Sequence, residues 1–209
     1  MSPSSSAAKR SADSVPIDIP MLIDGAWRAA SETYEVRDPY RGTVVANAPR
    51  SSAEDLDAAL DAAVKAKAKA AATPAYERAA LLRRAGVLLV ERADRIAEVM
   101  TRETGKAVRD AKAEIVRSQD TLSLSAEEAV RIEGEHVPLD ATAMGSGKIC
   151  FMLRFPVGVV AGITPFNAPV NLACHKICQR RGGTTLAGPA RLPPLARSGA
   201  DLQGQPAAA

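Results

Sequence analysis

The stretch Phe155-Pro-Val-Gly-Val-Val-Ala-Gly-Ile-Thr-Pro-Phe-Asn-Ala-Pro-Val-Asn171 constrains the fold of this chain more than any other. From Val157 to Ile163 it is a run of apolar and small residues without alternation, the pattern of a strand covered on both faces in a parallel sheet. Thr164-Pro165 breaks the run. Pro169 then stands just inside a new apolar segment (Val170, Leu172, Ala173, Ile177), with Asn167 as its expected N-cap. A buried strand, a tight turn and a helix N-terminus bring free backbone N–H groups and the helix dipole together, which suits an anionic cofactor. Asn167 has two readings at this position. Its amide can cap the helix, or its untitratable N–H donors can stabilise a developing oxyanion in a dry site.

These residues resemble a stretch of the NAD(P)-dependent aldehyde dehydrogenase superfamily that reads Pro-x-Gly-Val-x-x-x-Ile-x-Pro-(Trp or Phe)-Asn-x-Pro. The resemblance implies that Ile163, Thr164, Pro165, Phe166 and Asn167 line a cleft for NAD or NADP, and that the Asn167 amide helps form the oxyanion hole. Phe166 in place of the commoner Trp resembles the semialdehyde and phosphonate or phosphate-aldehyde branches. The implied fold is α/β. It is the N-terminal part of a Rossmann-type cofactor-binding domain, with short strands, three helices, flap strands, one buried strand and a helix, and it is incomplete as a domain.

Composition narrows the partners. The 27 Lys+Arg against 24 Asp+Glu leave a net charge of +3, which gives no reason to expect nucleic acid or an anionic membrane as a partner. No segment reaches the roughly 18 uninterrupted apolar residues of a membrane span. Three cysteines (Cys150, Cys174, Cys178) without metal-like spacing, and two histidines, point to a reduced, cytoplasmic protein without structural zinc. His136 and His175 each stand alone and are expected in structural roles. Neither Gly105-Lys106 nor Gly147-Lys148 has the spacing of a phosphate-binding P-loop.

Read in order, residues 1–20 are small and polar and are expected to be a disordered leader, without the apolar core of a secretory signal. Residues 21–177 form the expected folded region. Between Met21 and Ser52, two or three short strands are punctuated by Asp24-Gly25 and by Asp38-Pro39-Tyr40-Arg41-Gly42, phrases that also resemble the family's opening. Trp27 is expected as a packing anchor. Three helices should follow. The first starts at the capping box Ser51-x-x-Glu54 and carries the stripe Leu56, Ala59, Leu60, Ala63; the second runs from Thr73-Pro74 to a stop at Gly105; the third runs from Val108 to Gly134. The pieces Glu135–Leu139 and Ile149–Phe155 read as strands, and by resemblance they belong to an oligomerisation flap. Self-association into a homo-oligomer is therefore expected.

The likeness stops near Ile177. Residues 178–209 are rich in Gly, Pro, Arg and Ala and lack periodicity, and are expected to be a disordered tail of out-of-frame or otherwise non-native sequence. The Gly-Gln-x-Cys nucleophile phrase and the Glu-Leu-Gly-Gly base phrase of the family are not found in the chain. No cysteine replaces the nucleophile: Cys150 is remote in sequence, Cys178 lies in the foreign tail, and Cys174 has His175 about 100° away around a helix. Two function classes follow. One is oxidation of a small aldehyde to a carboxylic acid with NAD(P)+, the chain being the N-terminal part of such an enzyme and inactive alone. The other is a non-catalytic helical self-association module or a non-functional fragment.

Overall fold

Strand formation starts from two turns with opposite chemistry. Asp24 and Gly25 both take positive φ (53° and 75°), the combination a type I′ turn demands, and they join strands β2 (Met21–Ile23) and β3 (Ala26–Arg28) into a hairpin. The second turn joins β4 (Glu32–Arg37) to β5 (Val44–Arg50). There the Asp38 carboxylate is buried and accepts from the Tyr40 and Arg41 amides at 2.8 and 2.9 Å, while Gly42 supplies the left-handed residue at φ 71°. Val36, Ala46 and Ala48 form a small core under this sheet with Ile19 and Tyr34.

A computed structural model describes residues 16–178 of the chain. Within the segment expected as leader, β1 (Ile17–Asp18) pairs in parallel with β5, and the Asn47 amide donates to Asp18. The folded region thus begins before Met21. The leader from residue 1 to 15 and the tail from residue 179 lie outside the described residues. Between Met21 and Ser52, four short strands stand where two or three were expected. Trp27 is 46% exposed on β3, so it does not anchor a core.

Four helices, rather than three, follow β5. Helix α1 (Ala53–Ala71) starts with a capping box one residue later than expected: the Ser52 hydroxyl accepts from the Asp55 amide, and the Asp55 carboxylate accepts from the Ser52 amide. Its expected core stripe is uncovered among the described residues, with Leu56 58% exposed and Leu60 46%. The expected second helix is broken at Arg92 into α2 (Ala75–Glu91) and α3 (Ala93–Thr104), and Pro74 is the N-cap of α2 instead of its first helical residue. Both pieces lie on α4 (Val108–Ala129), a rod about 33 Å long, with Leu89 of α2 and Met100 of α3 in one core cluster against it. Gly105 ends α3 at φ 72°, with its amide bonded to the Thr101 carbonyl, and α4 ends at Val130, short of Gly134.

The core is therefore helical. Leu89, Ala97, Met100, Ala111, Ile115 and Leu122 enclose Val170 and Cys174 of helix α5 (Pro169–Cys178). Between α4 and α5 the expected flap strands shrink to β6 (Glu135–His136) and β7 (Phe151–Met152), paired antiparallel. The expected buried strand over Val157–Ile163 does not form. This run is not strand, and Val157 (72%) and Ile163 (87%) are exposed. A central strand needs neighbours for its N–H and C=O groups, and no strand of the described residues runs beside it.

Candidate functional site

The five residues singled out by sequence sit together on the turn that enters α5. Ile163, Pro165, Phe166 and Asn167 are exposed and Thr164 is half-buried. They form a short apolar strip ending in an amide. Asn167 does not cap α5. The Ala168 carbonyl accepts the first helical bond, from Leu172 at 2.9 Å, so Asn167 lies one residue before the cap.

The cap is a carboxylate from another helix. Glu114 on α4 is fully buried, and its Oε1 accepts from the amides of Val170 (2.9 Å) and Asn171 (3.1 Å). Its Oε2 pairs with the ammonium of Lys106, whose Nζ also donates to the Asn167 carbonyl at 3.0 Å. A buried carboxylate is tolerable because two amides, a helix dipole and a cation all face it. The consequence for binding is direct: the first amides of α5 are already taken, so this helix end does not cradle a phosphate.

Sequence reasoning missed this constellation. Lys106 stands in a Gly-Lys pair without P-loop spacing, and Glu114 belongs to no motif. One signal was available: Ala111, Glu114, Ile115 and Ser118 share one helical stripe, and all four are buried, so a carboxylate stands at an inward position. Its partner lies 56 residues away, beyond any local pattern.

The α4–α5 seam also sets the state of two thiols. Burial, then the nearby Glu114 charge, pushes the Cys174 thiol up to about 11 against a weaker opposing hydrogen bond with Ser118. Burial, then Cys174, pushes Cys178 up to about 12. Both stay protonated near neutrality, the reverse of an activated nucleophile. His175 turns toward Thr121, with Nε2 3.5 Å from Oγ1, and Thr121 also donates to Asn171 Oδ1 at 3.2 Å. Cys150 lies by the flap, its carbonyl accepting from the Val137 amide. Among the described residues no three His, Cys, Asp or Glu side chains group as a metal site, and no helix is long and apolar enough to cross a membrane.

Two open clefts lie elsewhere. One of about 260 Å³ is walled by Glu128, Arg131, Glu133 and Arg154; another of about 400 Å³ lies between α2 and α4 at Leu82, Gly86, Val87 and Gln119. Neither includes residues 163–167. The strip is thus an apolar surface ending in an amide, with neither cleft against it.

The model of the aldehyde dehydrogenase family matches residues 27–195, past the Ile177 limit expected from the motifs. The 3-sulfolactaldehyde dehydrogenase of Priestia aryabhattai is 36% identical over 177 residues, covering 84% of this chain and 37% of that protein. Malonate-semialdehyde dehydrogenase 3 of Geobacillus kaustophilus is 38% identical, over 87% of this chain and 38% of its own length. Among solved structures, aldehyde dehydrogenase 21 of Physcomitrella patens in complex with succinate superposes with a TM-score of 0.78 at 35% identity, covering 82% of this chain and 36% of that one. The NADP-dependent glyceraldehyde-3-phosphate dehydrogenase of Bacillus halodurans complexed with NADP gives 0.77 at 32% identity, over 86% of this chain and 39% of that one. The chain therefore spans a little over a third of the length of these four relatives.

Proposed function

Because this chain belongs to the aldehyde dehydrogenase family, we propose that it serves the oxidation of a small aldehyde to a carboxylic acid with NAD or NADP, contributing one wall of the site. The observation that carries the reading is the exposed strip Ile163 to Asn167 on a turn that Lys106 holds by the Asn167 carbonyl.

The strip's chemistry fits part of a nicotinamide dinucleotide. Ile163, Pro165 and Phe166 present apolar surface that suits a flat heterocycle, whereas the phosphates need donors other than the α5 amides, which Glu114 occupies. A bound nicotinamide would supply a hydride acceptor for the substrate carbon once a nucleophile has added to the aldehyde. The Asn167 amide donates an N–H to the substrate oxygen as negative charge grows there, and it does so unchanged with pH because it carries no titratable proton. None of the described thiols is set up as the nucleophile, so that role falls to a group outside the described residues.

The aldehyde we propose is a semialdehyde or one with another short anionic tail. Support comes from Phe166 and from relatives named for sulfolactaldehyde and malonate semialdehyde. We further propose that β6 and β7, short and exposed, mediate self-association.

The test is binding of NAD+ and NADP+ to the full chain by titration calorimetry. Phe166→Asp should weaken binding about tenfold, since it sets a carboxylate against an anionic ligand. Binding undiminished in that variant, or no binding of either dinucleotide by the unaltered protein, overturns the proposal.

A further inference from the structure

We infer that Lys106 and Glu114 act as positioning residues for Asn167, latching the turn so that its amide is presented from a fixed backbone. The inference rests on the reading above for what Asn167 does.

Three segments meet on this one ion pair: the residue after the Gly105 stop, the middle of α4, and the turn into α5. Glu114 fixes the helix end through the amides of Val170 and Asn171. Lys106 fixes the turn through the carbonyl of Asn167. Between the two anchors lie only Ala168 and Pro169, and the proline ring locks its own φ. Little backbone freedom is left to Asn167.

The second bond of Lys106 separates a latch from a plain cap. Capping requires only Glu114 and the α5 amides. The first carbonyl of the helical ladder is that of Ala168, so the Asn167 carbonyl lies outside the ladder and a donor placed on it does nothing for the helix. What it restrains is the residue itself. The ammonium is also committed, since Glu114 is buried completely and the Lys106 side chain is only 21% exposed. Removing either partner strands the other, so the geometry of Asn167 depends on both.

The test uses the full chain, labelled with ¹⁵N, as Lys106→Met, Lys106→Arg and Glu114→Gln. Relaxation of the Phe166, Asn167 and Ala168 amides and the Asn167 side-chain resonance report the turn, and hydrogen exchange at Val170 and Asn171 reports the cap. Lys106→Met should mobilise Asn167 and shift its side-chain resonance while leaving exchange at Val170 and Asn171 within about threefold, and Lys106→Arg should restore the resonance. Glu114→Gln should mobilise the turn and also speed exchange at those two amides by about tenfold, the equivalent of one lost hydrogen bond. An Asn167 unmoved by Lys106→Met, or a loosening shared equally by the amides of Met100 and Ile115, overturns the inference. An unaltered protein that binds neither NAD+ nor NADP+ sinks the functional reading alone, and the resonances still decide whether the latch exists.

Discussion

Replacing Glu114 by alanine should be among the most destabilising single changes in this chain. The substitution leaves the amides of Val170 and Asn171 without their acceptor, at about 1–3 kcal/mol each for a buried donor, and deprives Lys106 of its counter-charge. Removing one partner of a buried pair costs about 3–5 kcal/mol, and because the same atoms are counted in both figures they overlap instead of adding. Lys106 can turn partly to water, which places the expected loss near the lower end, at about 3–4 kcal/mol. For a chain of this size that lowers Tm by roughly 6–16 °C. Lys106→Met should cost only about 1–2 kcal/mol, since the carboxylate keeps both amides. The two changes should be coupled, the double variant being about 1–2 kcal/mol more stable than the sum predicts. Urea unfolding followed by far-UV circular dichroism measures all three, with constant m-values as the control. A Glu114→Ala loss under 1 kcal/mol, or additive costs, would refute the reasoning.

Other predictions concern the rest of the fold. The Arg41 backbone amide is the main cause holding the Asp38 carboxyl below its usual value of 3.8, helped by the Tyr40 amide and the Arg41 guanidinium. The turn's stabilisation is therefore complete above that value and lost as pH falls through the lower folded one; Asp38→Asn should remove this acid dependence of Tm and cost about 1–2 kcal/mol at neutral pH. At mildly alkaline pH, alkylation followed by mass spectrometry should label Cys150 well before Cys174 and Cys178, whose thiols are pushed up to about 11 and about 12. Since these folded values exceed the ordinary 9.0, stability should fall as pH rises from 9.0 toward about 11. Gly105→Ala forces a side chain into φ 72° with its Cβ 3.0 Å from Pro39 Cγ, and thermal unfolding should register a loss of about 1–2 kcal/mol.

Local chemistry was legible where it was self-contained. Asp24-Gly25 announced its hairpin, the Asp38–Gly42 phrase its turn, Gly105 its stop and Pro169 its helix start, because each depends on residues a few positions apart. Where two local answers were equivalent, the sequence could not choose. Ser51-x-x-Glu54 and Ser52-x-x-Asp55 are the same box, and the second is used. The break at Arg92 carries no Gly or Pro, so no local residue announces it. The apolar run from Val157 to Ile163 states what a strand would need and is silent on whether neighbours are at hand. In the candidate site, the contiguous residues Ile163 to Asn167 could be found by reading, whereas Glu114 and Lys106 are brought to them by the fold.

The capping of α5 from a different helix has a consequence for how the chain assembles. Helix α5 starts without a local side-chain cap, which makes its costly first turn harder to form alone in water. Its first donors are satisfied only after a contact spanning 56 residues has closed, which entropy delays. The helices α2 to α4 should therefore associate early, with α5 condensing onto a prepared surface, so that the amide-bearing turn takes its shape last and is the first to be given up when the protein is stressed.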